Sequence, residues 1–159
     1  MENVNKIAIE KAIEESKKNM SNDYSKGGPF GAVIVKDDKI LCSAHNTVIQ
    51  SKDPTAHAEI NAIREAAKIL NTHDLTGCTL YTSAEPCPMC LAAIIWSNIK
   101  IVYYINTKKD VDKVGFRDDI IYEYLKGNDS EIIKLIHVEN KEAIKVFEEY
   151  EKLGDKNIY

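Results

Sequence analysis

The chain has 159 residues, 44% of them hydrophobic and 29% charged, with a formal net charge of -4. That length suits one domain with a real core. The acidic balance argues against a protein that holds nucleic acid mainly through phosphate contacts, and the longest apolar run, 91–96, is too short to cross a bilayer.

Residues 4–20 predict an amphipathic helix, with Ile9, Ala12, Ile13, Ser16 and Met20 at three- and four-residue steps and Glu and Lys opposite. The polar run 22–29 ends it. Strands over 31–35 and 39–44, joined at Asp37 and Asp38, read as a hairpin. A loop over 45–53 leads to a helix starting near Thr55, with Ala56, Ile60, Ile63, Ala67 and Leu70 as its apolar stripe. After a turn at Thr76 and Gly77, 78–82 reads as a strand. Pro88 opens a helix over 89–97 that is largely apolar and so expected to be buried. A fourth strand over 99–105, a helix over 118–125 and a fifth strand over 131–138 follow. Asn140 is placed to cap a last helix, 141–153, with Ala143, Val146, Phe147 and Tyr150 on one face. The order α-β-β-α-β-α-β-α-β-α implies an α/β fold. The expected architecture is three-layer α/β/α, one mixed five-stranded sheet with helices on both faces, in a single domain over 1–159.

The cysteines are Cys42, Cys78, Cys87 and Cys90. An even count allows two disulfides, but the chain opens on polar residues with no signal-like apolar segment. A cytoplasmic setting is expected, and there Cys-x-x-Cys means metal or redox chemistry. Cys42 and Cys78 lie in apolar strand-like runs and read as buried structural thiols. His57-Ala58-Glu59 and Pro86-Cys87-Pro88-Met89-Cys90 read H-x-E and P-C-x-x-C, a combination that a redox role leaves unexplained. His57, Cys87 and Cys90 suit zinc, and three protein ligands leave a fourth tetrahedral position open for water. The expected cofactor is therefore one Zn2+ per chain, with Glu59 beside its water as catalytic proton shuttle. The alternative is a closed structural zinc completed by Cys42, Cys78, His45 or His73, which leaves Glu59 unused. His45, His73 and His137 otherwise read as loop or strand residues.

Residues two apart on a helix point to nearly opposite sides. His57 and Glu59 therefore converge only if the site lies off the helix's N-terminal end. Cys87 and Cys90, three apart, share a side at a second helix start. Two N-termini then aim N–H groups at one point, which favours thiolates. The chemistry this supports is hydrolysis at an amidine-like ring carbon. The metal makes water a hydroxide-like nucleophile near neutral pH. Glu59 takes a water proton and delivers it to a ring nitrogen, and later delivers the second to the leaving amine.

With these motifs, Gly27-Gly28-Pro29-Phe30-Gly31-Ala32-Val33-Ile34-Val35 and Asp53-Pro54-Thr55-Ala56-His57-Ala58-Glu59 resemble the zinc-dependent cytidine/deoxycytidylate deaminase superfamily, over essentially the whole chain. Gly115-Phe116-Arg117-Asp118, then Ile121-Tyr122, and the final Tyr159 are similar to the bacterial guanine deaminases within it. The resemblance implies a cytidine-deaminase-like fold and hydrolytic deamination of guanine to xanthine and ammonia. It implies that Asn46, Phe30, Ala58, Trp96, Asp118 and Tyr159 bind substrate. It also implies a homodimer that exchanges C-terminal segments, about 140–159, so that Tyr159 completes the partner's site. The expected partner is a small purine base, with no nucleic acid and no membrane. The chemistry agrees: the N–H and amino donors of guanine suit the Asp118 carboxylate, and its O6 and N7 acceptors suit the Asn46 amide. A flat base also favours aromatic walls such as Phe30 and Trp96.

Other readings stand beside these. Asn46 is also a turn-former, Trp96 as much a core residue as a pocket wall, and Tyr159 an ordinary chain end. Arg117 is placed to pair with Asp118 and compete with the base. Alternative substrates are the adenosine of a tRNA, whose deaminases share the D-P-T-A-H-A-E stretch, or guanosine, cytidine or cytosine. A zinc-stabilised scaffold is the non-enzymatic alternative. Net acidity, Pro88 between the cysteines and the Asp118/Tyr159 pair favour a small molecule.

Overall fold

The computed structural model describes residues 3–20, 27–128 and 131–159. Most of the expected break after the first helix, 22–26, lies outside the described residues. Helix α1, Val4–Lys17, starts where the Asn3 side chain accepts from Asn5 N. Strands β1, Gly31–Lys36, and β2, Lys39–His45, form the expected hairpin. Asp37 and Asp38 take φ of 49° and 56°, the mirror-image two-residue turn whose twist matches paired strands. β3, Cys78–Ala84, pairs antiparallel with β1, and β4, Ile101–Asn106, pairs parallel with β3. Helix α4, Pro88–Trp96, connects β3 to β4, as a parallel pair requires a crossover.

Alternation along β1 divides the core into two layers. Val33 and Val35 pack with Ala8 and Ala12 of α1 on one face. Ala32 and Ile34 pack with Ala58, Ala62 and Ala66 of α3, Ala58–Leu70, on the other. This is the three-layer α/β/α arrangement, and it carries the ends of α3 and α4 to the same region. Among the described residues no helix is long and apolar enough to cross a membrane.

One buried charge belongs to the scaffold. Glu15 of α1 accepts from Ser43 Oγ at 2.7 Å and pairs with Lys18 Nζ at 2.9 Å and His45 Nδ1 at 3.2 Å. Burial raises its pKa, but hydrogen bonds with Lys18, Ser43 and His45 outweigh that and hold it below the usual 4.5. A carboxylate with a depressed folded-state pKa adds stability above its unfolded value, and loses it as pH falls through the folded value. Glu15→Gln is therefore expected to lower the melting temperature at neutral pH. Its gap to wild type should close as the pH drops below 4.5, which melts at stepped pH will check.

Several expectations change. The sheet of the described residues has four strands, in the order β2-β1-β3-β4, rather than five. Residues 131–138 form no strand and leave Leu135, Ile136 and Val138 exposed. Alternation marks two faces, but a strand exists only where a neighbouring edge completes its hydrogen bonds. Helix α4 is apolar yet buries just Cys90 and Ile94, with Leu91, Ile95 and Trp96 exposed. Helix α2, Val48–Ser51, sits inside the expected loop. Helix α5, Lys108–Lys113, has no apolar stripe to announce it; its signal is the capping box of Thr107 and Asp110. Helix α6, Asp118–Leu125, falls where expected. Helix α7, Lys141–Glu151, is capped by Asn140 as the sequence suggests, ends two residues early, and has no buried residue.

Candidate active site

The α3 helix begins at Ala58 rather than near Thr55. Asp53 Oδ1 accepts from Thr55 N at 2.8 Å and from Thr55 Oγ1 at 2.7 Å, so a side-chain turn occupies the positions read as the helix start. His57 becomes the N-cap, in extended backbone at φ -66° and ψ 158°. It therefore stands outside the helical repeat, and this lets it meet Glu59 at the helix end. Cys87 caps α4 in the same way, at φ -65° and ψ 167°, with Pro88 in the first turn. Its Sγ accepts from Cys90 N at 3.5 Å.

These two helix starts form one cluster. His57 Nδ1 lies 3.6 Å from Cys87 Sγ and 3.5 Å from Cys90 Sγ, and all three ligand atoms fall within 4.8 Å of one another. Tetrahedral zinc with Zn–S about 2.3 Å and Zn–N about 2.0 Å needs N···S edges of roughly 3.5 Å, so the donor set fits that ion. Among the described residues Cys42, Cys78, His45 and His73 do not join the group. Cys42 instead donates to Ala62 O at 3.4 Å inside the core, and a closed structural site gains no support. The Cys87 thiol is pushed down to about 4, because the Cys90 thiol and the His57 ring donate to its sulfur. The same contact with Cys87 raises His57. Cys90 moves the other way, raised by its hydrogen bond to Cys87 and by burial, so the three groups share protons, which a metal bound there would displace from the thiols and the ring.

Glu59 is buried next to the cluster. Its Oε1 accepts from Thr82 Oγ1 at 3.0 Å, and its Oε2 lies 3.5 Å from Cys90 Sγ. Burial raises its pKa, so it keeps a proton more readily than an exposed glutamate does. Thr82 was missed by the sequence reading. The available signal was a hydroxyl in a strand whose neighbours are buried, since a buried polar group needs a partner.

A cavity of about 240 Å³ opens beside the cluster, lined in part by Phe30, Asn46, His57, Glu59, Cys87 and Asp118. Asn46 Oδ1 accepts from Val48 N at 3.1 Å. That N–H must meet an oxygen, which assigns the amide orientation and leaves Nδ2 for a ligand. Phe30 meets Phe116 edge to face, with centroids 4.8 Å apart. A Cβ added at Gly28 would stand 2.7 Å from the Phe30 ring and 2.9 Å from Phe116, so glycine there allows both rings to close on the cavity. Phe116, for which the sequence alone suggests no role, also lines the cavity. Asp118 opens α6 at the cavity, with its pKa raised first by burial and then by the Cys87 charge. Among the described residues no ion pair joins Asp118 to Arg117.

The remaining candidates lie elsewhere in the chain. Ala58 is packed in the core with Ala32 and Ile34. Trp96 and Tyr159 are 62% and 78% exposed. Their rings meet each other, with centroids 5.8 Å apart, on a surface shared with Ile60 and His73. Trp96 is thus neither core nor cavity wall within a single chain.

Comparison with known proteins places this geometry in a family. Residues 3–106 match the cytidine and deoxycytidylate deaminase zinc-binding region. Guanine deaminase of Bacillus subtilis (strain 168) is 45% identical over 134 residues, covering 84% of this chain and 86% of that protein. The X-ray structure of guanine deaminase from Bacillus subtilis superposes with a TM-score of 0.88 at 39% identity, over 97% of this chain and 98% of that one. The tRNA-specific adenosine deaminase of Aquifex aeolicus is 47% identical over 100 residues, 62% of this chain and 64% of that protein. With a zinc-compatible His57/Cys87/Cys90 cluster on a cytidine-deaminase-like fold, the chain belongs to the cytidine and deoxycytidylate deaminase family.

Proposed function

We propose that this protein hydrolyses guanine to xanthine and ammonia, using one Zn2+ per chain held by His57, Cys87 and Cys90. The observation that carries this reading is the convergence of Asn46 and Asp118 on the cavity that also holds Glu59. The match to the Bacillus subtilis guanine deaminase supports it further. An alignment of 134 residues in a chain of 159 must run past Asp118, whereas the family match ends at residue 106.

Zinc bound at the cluster supplies the Lewis acidity that makes water nucleophilic near neutral pH. The chain's own groups do the rest. Asn46 Nδ2 donates to an acceptor of the purine, and the Asp118 carboxylate accepts from its N–H groups. Phe30 and Phe116 shield the flat ring from water. This presents C2 of guanine, which bears the amino group, to the cluster. Glu59 takes one proton from the attacking water and passes it to ring N3, then takes the second from the hydroxyl now on C2 and delivers it to the amine as the C2–N bond breaks. Water oxygen becomes the new carbonyl and ammonia leaves. Thr82 holds the carboxylate in place. Thr82→Val should therefore lower kcat by about tenfold to a hundredfold, the worth of a hydrogen bond to a charged group. Zinc content should be unchanged; metal analysis beside a xanthine assay checks this.

The Aquifex relative favours a second reading, deamination of a tRNA adenosine. Turnover on free guanine and on a tRNA anticodon loop separates the two. Absence of xanthine with guanine would sink the first reading.

The working unit in this proposal is a homodimer in the cytoplasm, each chain a single domain whose C-terminal segment reaches its partner. Several features support exchange. Leu135, Ile136, Val138, Phe147 and Ile158 are exposed, as are Ile101, Tyr103 and Tyr104 on β4. Exposed apolar surface on that scale is typical of an interface. Tyr159 also lies away from the cavity of its own chain. The four free cysteines suit a reducing compartment.

A further inference from the structure

Asn19 lies two residues beyond α1 and is 1% exposed. It is no part of the metal cluster or of the cavity lining. Its Nδ2 donates to two carbonyls, Gly28 O at 2.8 Å and Asn46 O at 2.7 Å. Both carbonyls belong to residues that line the cavity. The same segments are laced by Phe30 N to Gly28 O at 2.9 Å and Asn46 N to Phe30 O at 3.0 Å. One amide group thus closes a ring of hydrogen bonds through Gly28, Phe30 and Asn46, three parts of one wall.

Two further observations point the same way. Among the described residues Asn19 Oδ1 is buried without a hydrogen-bond partner. An unpaired buried acceptor costs stability, so Asn19 is a poor choice as a mere filler of its site. What the position gains is its pair of donors. Gly27, at φ 146°, passes so close that an added Cβ would stand 2.5 Å from Asn46 Oδ1 and 3.0 Å from Asn19 Nδ2. The backbone is therefore packed directly on the amide pair and leaves Asn46 little room to shift.

We infer that Asn19 is a positioning residue for substrate recognition, fixing the Asn46 amide against the cavity through the Gly28 and Asn46 carbonyls. This rests on the reading of the cavity as a purine-base site. Asn19 touches no substrate and acts through Asn46, so its loss acts on binding more than on the chemical step.

The test is a double-mutant cycle between Asn19→Leu and Asn46→Ala, with Asn19→Asp as a second variant that keeps the shape and loses both donors. Either Asn19 variant should raise KM for guanine by about tenfold, with kcat changed less than about threefold and zinc content intact. In the Asn46→Ala background, Asn19→Leu should add less than about twofold, because the two act as one unit. An unchanged KM, or full additivity, overturns the inference. Hydrogen exchange tests the clamp whatever the substrate. Amides over 28–31 and 45–47 should exchange faster in Asn19→Leu, and unchanged exchange there overturns the inference as well. A wild-type protein that forms no xanthine defeats the guanine reading instead, and the exchange measurement still decides on Asn19.

Discussion

Glu59→Gln is expected to bind zinc at one ion per chain, to melt close to wild type, and to lose guanine turnover by about three orders of magnitude. The three parts follow from different features of one residue. Glu59 is not among the three grouped ligand atoms, so the metal remains. Its side chain is buried at 5% exposure, with Thr82 Oγ1 at 3.0 Å. Glutamine keeps the volume and still offers an oxygen to that hydroxyl, so packing is preserved. What glutamine cannot do is accept a proton from water and return it to the ring and the amine. Zinc analysis, a melting curve and a xanthine assay on one preparation check the result. Full activity in the variant would move the proton transfer to another group, whereas the scaffold reading requires that wild type and variant alike form no xanthine.

The site's centre was legible because its information is local. Two short motifs fix which residues open two helices, and helix starts place those residues at a common point. The boundary error at Thr55 shows the limit of that legibility. Proline and threonine resemble a helix entrance, but Asp53 bonds back to Thr55 and uses those positions as a turn. His57, as N-cap, escapes the geometry that would part it from Glu59. Asn46, Phe30 and Asp118 reach the same cavity from a loop, a strand entrance and a helix start far apart in the chain. Their convergence was visible through resemblance and not through spacing. Thr82 and Asn19 were missed because one hydroxyl in a strand, or one amide after a helix, carries no periodic signal. The fifth strand failed for a related reason. The pattern over 131–138 describes the segment's two faces and is silent about whether a free edge lies within its reach.

Removing 157–159 should cut guanine turnover by about a hundredfold while barely moving the melting temperature. Within one chain Ile158 and Tyr159 are 77% and 78% exposed, so little packing is lost. The deletion alone does not reveal whose site Tyr159 serves, and mixing decides it. A chain with Glu59→Gln keeps its tail but has a dead site. A tail-deleted chain keeps Glu59 but lacks Tyr159. Each homodimer should be inactive. In a co-expressed mixed dimer, the Glu59→Gln chain lends its tail to the intact Glu59 of its partner, and one site becomes complete. Random pairing makes half of the dimers mixed, so activity should recover to about a quarter of wild type per chain. If Tyr159 instead served its own chain, no mixed dimer would hold a complete site, and the mixture would stay as inactive as its components. Exposed apolar residues on 131–159 and on β4 favour recovery, because surface of that kind is rarely left to water when a second copy can cover it.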